Sequence, residues 1–151
     1  MVYVGVIGGG HCTPEVAGCA EAVGGELAKR GVTLVCGGMG GVMEAAARGA
    51  SKRGGMTVGI LPTLDRASAN PYIRIAIPTG LGEARNALVV RASDGLIAID
   101  GAYGTLSEIA LGLQCGRPVV GLHTWDLEAP ILRASDPVDA VNLVLEHIGV
   151  T

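Results

Sequence analysis

The chain has 151 residues, is 49% hydrophobic and contains 25 glycines, four cysteines and no phenylalanine, enough for one core, so a single domain over 1–151 is expected. A formal net charge of −3 gives no electrostatic footprint for a nucleic-acid backbone or an anionic membrane, while small anions remain compatible through local pockets. No basic leader, membrane-length apolar run or Cys-x-x-Cys pair occurs, so the expectation is a cytoplasmic protein with free thiols and neither a nucleic-acid nor a membrane partner.

In chain order, short apolar runs at 2–7, 32–36, 56–61, 73–77, 96–100 and 118–122 read as strands. Most are apolar on both faces, the pattern of a parallel sheet covered by helices on each side. Helical candidates lie between and after them at 14–30, 41–53, 82–93, 105–115 and 137–148. The alternation predicts an α/β fold: a single-domain, doubly wound, Rossmann-like parallel sheet with helices on both faces. Segment 62–72 (PTLDRASANPY) carries turn formers without a period and reads as a surface loop near the site.

Three strand ends are rich in glycine: Gly8-Gly9-Gly10-His11-Cys12-Thr13, Gly37-Gly38-Met39-Gly40-Gly41 and Gly101-Ala102-Tyr103-Gly104-Thr105. In a doubly wound sheet these ends share one edge, where ligands bind. Glycine admits close backbone approach, and the helix that follows offers unpaired N–H groups to an anion. The loops therefore point to a phosphorylated small molecule held by Gly8, Gly9, Gly10, Gly37, Gly38, Gly40, Gly101, Gly104 and Thr105. Tight turns alone would also explain glycines there.

Ordinary dinucleotide binding is disfavoured, because Thr13 stands where the third fingerprint glycine belongs and Cys36-Gly37 ends the second strand without an acidic residue for a ribose diol. No Gly-Lys-Ser/Thr phosphate loop occurs. His11-Cys12 has no second pair at ligand spacing, so no metal site is expected. Met39 and Met43 read as packing residues, Tyr103 as a ring platform or a subunit contact, and Trp125 as an interface residue or a local surface anchor.

The phrases LVCGGMGGVMEAAARGA with GGMTVGILP, GLGEARNALVVRASDGLIAID and GAYGTLSEIALGLQCGRPVVGL resemble the LONELY GUY superfamily of cytokinin-activating phosphoribohydrolases. An old lysine-decarboxylase label attaches to the same group, and a sister branch holds the molybdenum-cofactor carrier protein. The resemblance runs from about residue 4 to about residue 122. It implies a Rossmann-like fold, a homo-oligomer (dimer or tetramer) and a site at the strand ends. The family signature Pro-Gly-Gly-x-Gly-Thr-x-x-Glu falls on Gly101, Tyr103, Gly104, Thr105 and Glu108, and the family arginine falls on Arg85. Asp100 and Ala102 replace the proline and second glycine, and Asn86, expected among the ligand-binding residues, replaces the lysine after the arginine, wording closer to the carrier branch.

Two functions follow. The first is a binding or carrier protein for a phosphorylated nucleotide-like or pterin-like molecule, the molybdenum cofactor or a nucleoside monophosphate being the ligand and no further cofactor required. The second is a nucleoside 5′-monophosphate phosphoribohydrolase cleaving the N-glycosidic bond, with Glu108 and Arg85 as the catalytic pair. There the carboxylate would stabilise an oxocarbenium-like transition state and hold the attacking water, while the guanidinium orients phosphate or ribose oxygens. From spacing alone, Thr105-Leu106-Ser107-Glu108 also spells a helix capping box. The lysines, Lys29 and Lys52, lie on presumed exposed helix faces, which sets decarboxylation aside.

Overall fold

Tyr3–Gly8 (YVGVIG) forms a strand because its β-branched residues fit an extended chain whose two faces are both covered. In the computed structural model, which describes residues 1–149, this strand (β1) lies at the centre of a seven-stranded, all-parallel sheet. The last two residues of the expected 1–151 domain lie outside the described residues. β2 (Thr33–Cys36), β3 (Thr57–Leu61) and β4 (Ile75–Pro78) run outward on one side, and β5 (Gly95–Ile99), β6 (Val119–Leu122) and β7 (Leu132–Arg133) on the other. The order β4-β3-β2-β1-β5-β6-β7 reverses direction between β1 and β5, whose register pairs Gly8 with Ile99. A crevice therefore opens beyond the carboxyl ends of these two strands.

Alternation along the strands feeds two cores. Val4, Val6, Ile97 and Ile99 face α1 (Pro14–Lys29), α2 (Val42–Lys52) and α5 (Pro137–Ile148), whereas Ile7, Leu96 and Ala98 face α3 (Asn86–Ala92) and α4 (Tyr103–Gln114). Full burial of each such Val, Leu or Ile contributes about 1.5–3 kcal/mol. α1 and α2 meet backbone to backbone: a Cβ on Gly24 would overlap the Ala46 carbonyl, and one on Gly49 the Glu21 carbonyl. That contact accounts for glycine inside helices, where its backbone entropy costs about 1 kcal/mol.

The α/β reading and the six longer strands agree with this architecture, and several details differ. β7, two residues long, is too short to leave a pattern in the sequence. The helix expected at 82–93 is a 3₁₀ turn, Gly82–Arg85, running into α3, because Gly80 and Gly82 both take positive φ (67° and 58°) at its entry. Segment 62–72 is a surface connection, yet it is pinned: Asn70 N–H donates to Gly38 O at 2.9 Å and its side-chain amide to Met39 O at 2.8 Å. α4 begins at Tyr103 with Ala102 in the cap position, which puts Thr105 inside the helix, so the Thr105–Glu108 capping box does not form.

Candidate functional site

The three glycine-rich turns meet at the crevice, each with its own local cause. The turn after β2 is left-handed at Gly38 (φ 77°), whose N–H donates to the Cys36 sulfur at 3.3 Å. It ends at Gly41 (φ 62°), where a side chain would run into the backbone of Gly9 and Gly10. The Gly9 carbonyl in turn accepts from Val42 N–H at 3.0 Å and so closes the start of α2. After β5, Asp100 (φ 51°) and Gly101 (φ 106°) are consecutive left-handed residues that swing the chain abruptly into α4. Aspartate tolerates that conformation better than most side chains. Two bonds from the β6 end brace this turn: Thr124 Oγ1 to Asp100 O at 2.7 Å and Trp125 Nε1 to Ala102 O at 3.1 Å.

Between the turns lies a cavity of about 350 Å³. Of the residues singled out from the sequence, Gly8, Gly9, Gly10, Gly37, Arg85, Asn86, Gly104, Thr105 and Glu108 line it. Gly38, Gly40 and Gly101 stand behind the wall: Gly38 packs on Leu61 and Gly59, Gly40 backs onto the Gly10 carbonyl, and Gly101 faces Thr105. Sequence reasoning missed Val6, Ile7, Pro62, Gly82 and Glu83 as lining residues, and it read Met43 as packing. Pro62 was legible as the residue just beyond β3 on the same edge.

Gly104 has no positive φ, and a Cβ there would meet only the Asn86 amide, at 3.7 Å. The fold itself does not require glycine at that point, which leaves the first turn of α4 open to the cavity. No side chain caps this helix, so its leading N–H groups and positive dipole end are free to meet an anion.

Arg85 is half-buried and largely engaged by the protein. Its Nε donates to Ile60 O at 2.9 Å and Nη2 to Gly37 O at 3.4 Å, while Nη1 donates to the Asn86 side-chain oxygen. Asn86, itself buried, thereby turns its amide nitrogen toward Gly104. Desolvation holds the Arg85 pKa below its usual value, against the opposing pull of Glu108.

Glu108 is 7% exposed, lines the cavity and makes no side-chain hydrogen bond among the described residues. Burial pushes its carboxyl up to about 8, with the Arg85 charge pulling weakly the other way. The two side chains share the cavity, yet no Arg85–Glu108 ion pair within 4.0 Å occurs among the described residues. Near neutral pH most Glu108 is therefore a protonated hydrogen-bond donor. Beneath the floor, the fully buried Cys36 thiol is raised to about 12 by desolvation and is inert as a nucleophile. Among the described residues no group of three or more His, Cys, Asp or Glu is placed to hold a metal ion. No helix among them is long and apolar enough to cross a membrane.

The model of the SLOG cluster4 family matches residues 1–146. The structure of a molybdenum cofactor binding protein from the phototrophic bacterium Rippkaea orientalis is 38% identical, superposes with a TM-score of 0.92 and covers 97% of each chain. The molybdenum cofactor carrier protein of Chlamydomonas reinhardtii is 31% identical at a TM-score of 0.90 over 98% of each chain. A probable cytokinin riboside 5′-monophosphate phosphoribohydrolase of Oryza sativa subsp. japonica is 34% identical over 111 residues, 72% of this chain and only 44% of that relative.

Proposed function

The chain belongs to the SLOG cluster4 family, and from that premise we propose that it is a binding protein of the carrier type for a phosphorylated nucleotide-like or pterin-like small molecule. One observation carries the reading: the uncapped start of α4 opens through Gly104 into a glycine-walled cavity at the strand-order switch. The phosphate would lie against the first N–H groups of α4, with protonated Glu108 and the Asn86 amide donating to it. The ring would extend along Gly8–Gly10. A cavity of about 350 Å³ suits one small ligand. Two similar structures, a molybdenum cofactor binding protein and a molybdenum cofactor carrier protein that match this chain over nearly their whole length, support a pterin phosphate as cargo.

A second reading, hydrolysis of a nucleoside 5′-monophosphate, draws on the presence of Arg85 and Glu108 in one cavity. It needs a carboxylate that stabilises developing positive charge, and a group held near pH 8 supplies little of that at neutral pH. The test is to incubate purified protein with AMP at pH 7 and follow both free adenine and the shift in melting temperature. A rise in melting temperature without base release supports the carrier. Base release lost in Glu108→Gln and Arg85→Ala supports the hydrolase.

The carrier is also proposed to work as a homo-oligomer. One face of β3 and β4 lacks a covering helix and leaves Ile75 and Ile77 exposed by 46% and 45%, and Leu88 on α3 is exposed by 40%. A parallel sheet is normally covered on both faces. Light scattering should give a dimer or tetramer, and Ile77→Asp should shift it to monomer.

A further inference from the structure

A second cavity, of about 270 Å³, lies across the β1–α1 turn from the first, and Gly10 lines both. Gly10 has no positive φ, and a Cβ there would meet nothing within 4 Å. Neither backbone conformation nor packing requires a glycine there, and it stands on the border that the two cavities share.

The second cavity presents a mixed polar set. Glu44 and Arg48 stand one turn apart on α2, a spacing that puts both on one helix face. Arg48 is held in place, with Nε 3.4 Å from Glu21 and its guanidinium 5.8 Å from the centre of the Tyr72 ring. Glu44 makes no hydrogen bond from its side chain among the described residues and has no ion-pair partner there. A carboxylate that accepts two parallel hydrogen bonds beside a guanidinium that donates one fits a ring edge bearing an N–H, an amino group and a carbonyl oxygen in a row.

Resting on the phosphate reading above, we propose that the two cavities form one bipartite site: the phosphate sits at α4, the ligand crosses over Gly10, and Glu44 and Arg48 read a 2-amino-4-oxopyrimidine edge. That edge is shared by guanine and pterin rings. Adenine presents an amino donor beside a ring-nitrogen acceptor and leaves the carboxylate facing a lone pair. Hydrogen bonds to charged groups are the stronger kind, so the expected discrimination is about tenfold to a hundredfold.

Calorimetric titration with ribose 5-phosphate, AMP, GMP and 6-hydroxymethylpterin phosphate tests this. GMP or the pterin phosphate should bind at least about tenfold tighter than AMP, and whichever is tighter identifies the ring. Glu44→Gln and Arg48→Gln should each erase that preference. Gly10→Val, which has room to fold, should weaken ring-bearing ligands far more than ribose 5-phosphate. Equal binding of AMP, GMP and pterin phosphate, or an intact preference in both α2 variants, overturns the ring assignment while ribose 5-phosphate binding leaves the phosphate site standing. Failure of ribose 5-phosphate and all three ring compounds to bind overturns both.

Discussion

Two helices, α2 and α4, start at the same edge of the sheet and treat their first N–H groups in opposite ways. At α2 the Gly9 carbonyl accepts from Val42 N–H at 3.0 Å, and Gly41 is wedged against Gly9 and Gly10, so the turn is consumed by the fold. At α4 no side chain caps the helix, and Gly104 leaves open space before it. Glycine is required by the protein at the first position and by nothing in the protein at the second. A glycine-rich strand end is thus evidence of a ligand seat only where the backbone does not need the glycine for itself.

The largest effect that sharpens this contrast is on stability at the closed turn. Gly41→Ala forces a side chain into the left-handed region and into neighbouring backbone, a cost of ~3 kcal/mol. At about 2–4 °C per kcal/mol for a chain of this size, thermal unfolding should report a drop near 10 °C. Gly104→Val at the open turn should behave differently: the melting temperature should change by only a few degrees, while binding of ribose 5-phosphate is lost. If Gly104→Val unfolds the protein as Gly41→Ala does, the contrast fails.

A smaller effect concerns pH. Burial raises the Glu108 pKa to about 8 in the folded protein, above its ordinary value of 4.5, so the folded state binds this proton more tightly than the unfolded chain. Its contribution to stability is complete below about pH 4.5 and is lost as pH rises toward 8. Glu108→Gln should therefore gain in melting temperature relative to wild type as pH rises through that window. The same denaturation series at several pH values checks it, and a constant difference would show that burial does not govern this carboxyl. The smallest effect expected is at the brace: Trp125→Phe removes the 3.1 Å bond to Ala102 O, costing about 1 kcal/mol and weakening ligand binding only a few-fold.

Much of this was legible in the sequence. Apolar runs without alternation gave the parallel sheet, and the three strand ends gave a common edge, because topology alone brings them there. Arg85 and Glu108 were placed together through the family resemblance, and they do share one cavity. The wording of residues 105–108 was misleading: a cap is defined by where the helix begins, and the left-handed pair Asp100-Gly101 starts α4 at Tyr103. Nor could spacing show that Arg85 spends its donors on Ile60 and Gly37 carbonyls, since those partners come from β3 and from the turn after β2. The shared cavity of Glu44 and Arg48 was hidden for a similar reason: its wall includes Gly10, His11 and Cys12, from the turn after β1.

The central claim is that a mostly protonated Glu108 and the open end of α4 together hold a phosphate. The direct measurement is the affinity for ribose 5-phosphate between about pH 7.5 and 9.5, where the phosphate is almost wholly dianionic, in wild type and in Glu108→Gln. Wild-type affinity should fall as Glu108 ionises through about pH 8, because a carboxylate then faces the phosphate, and the glutamine variant should stay flat. A wild-type profile as flat as the variant's, or one that rises, would contradict the account.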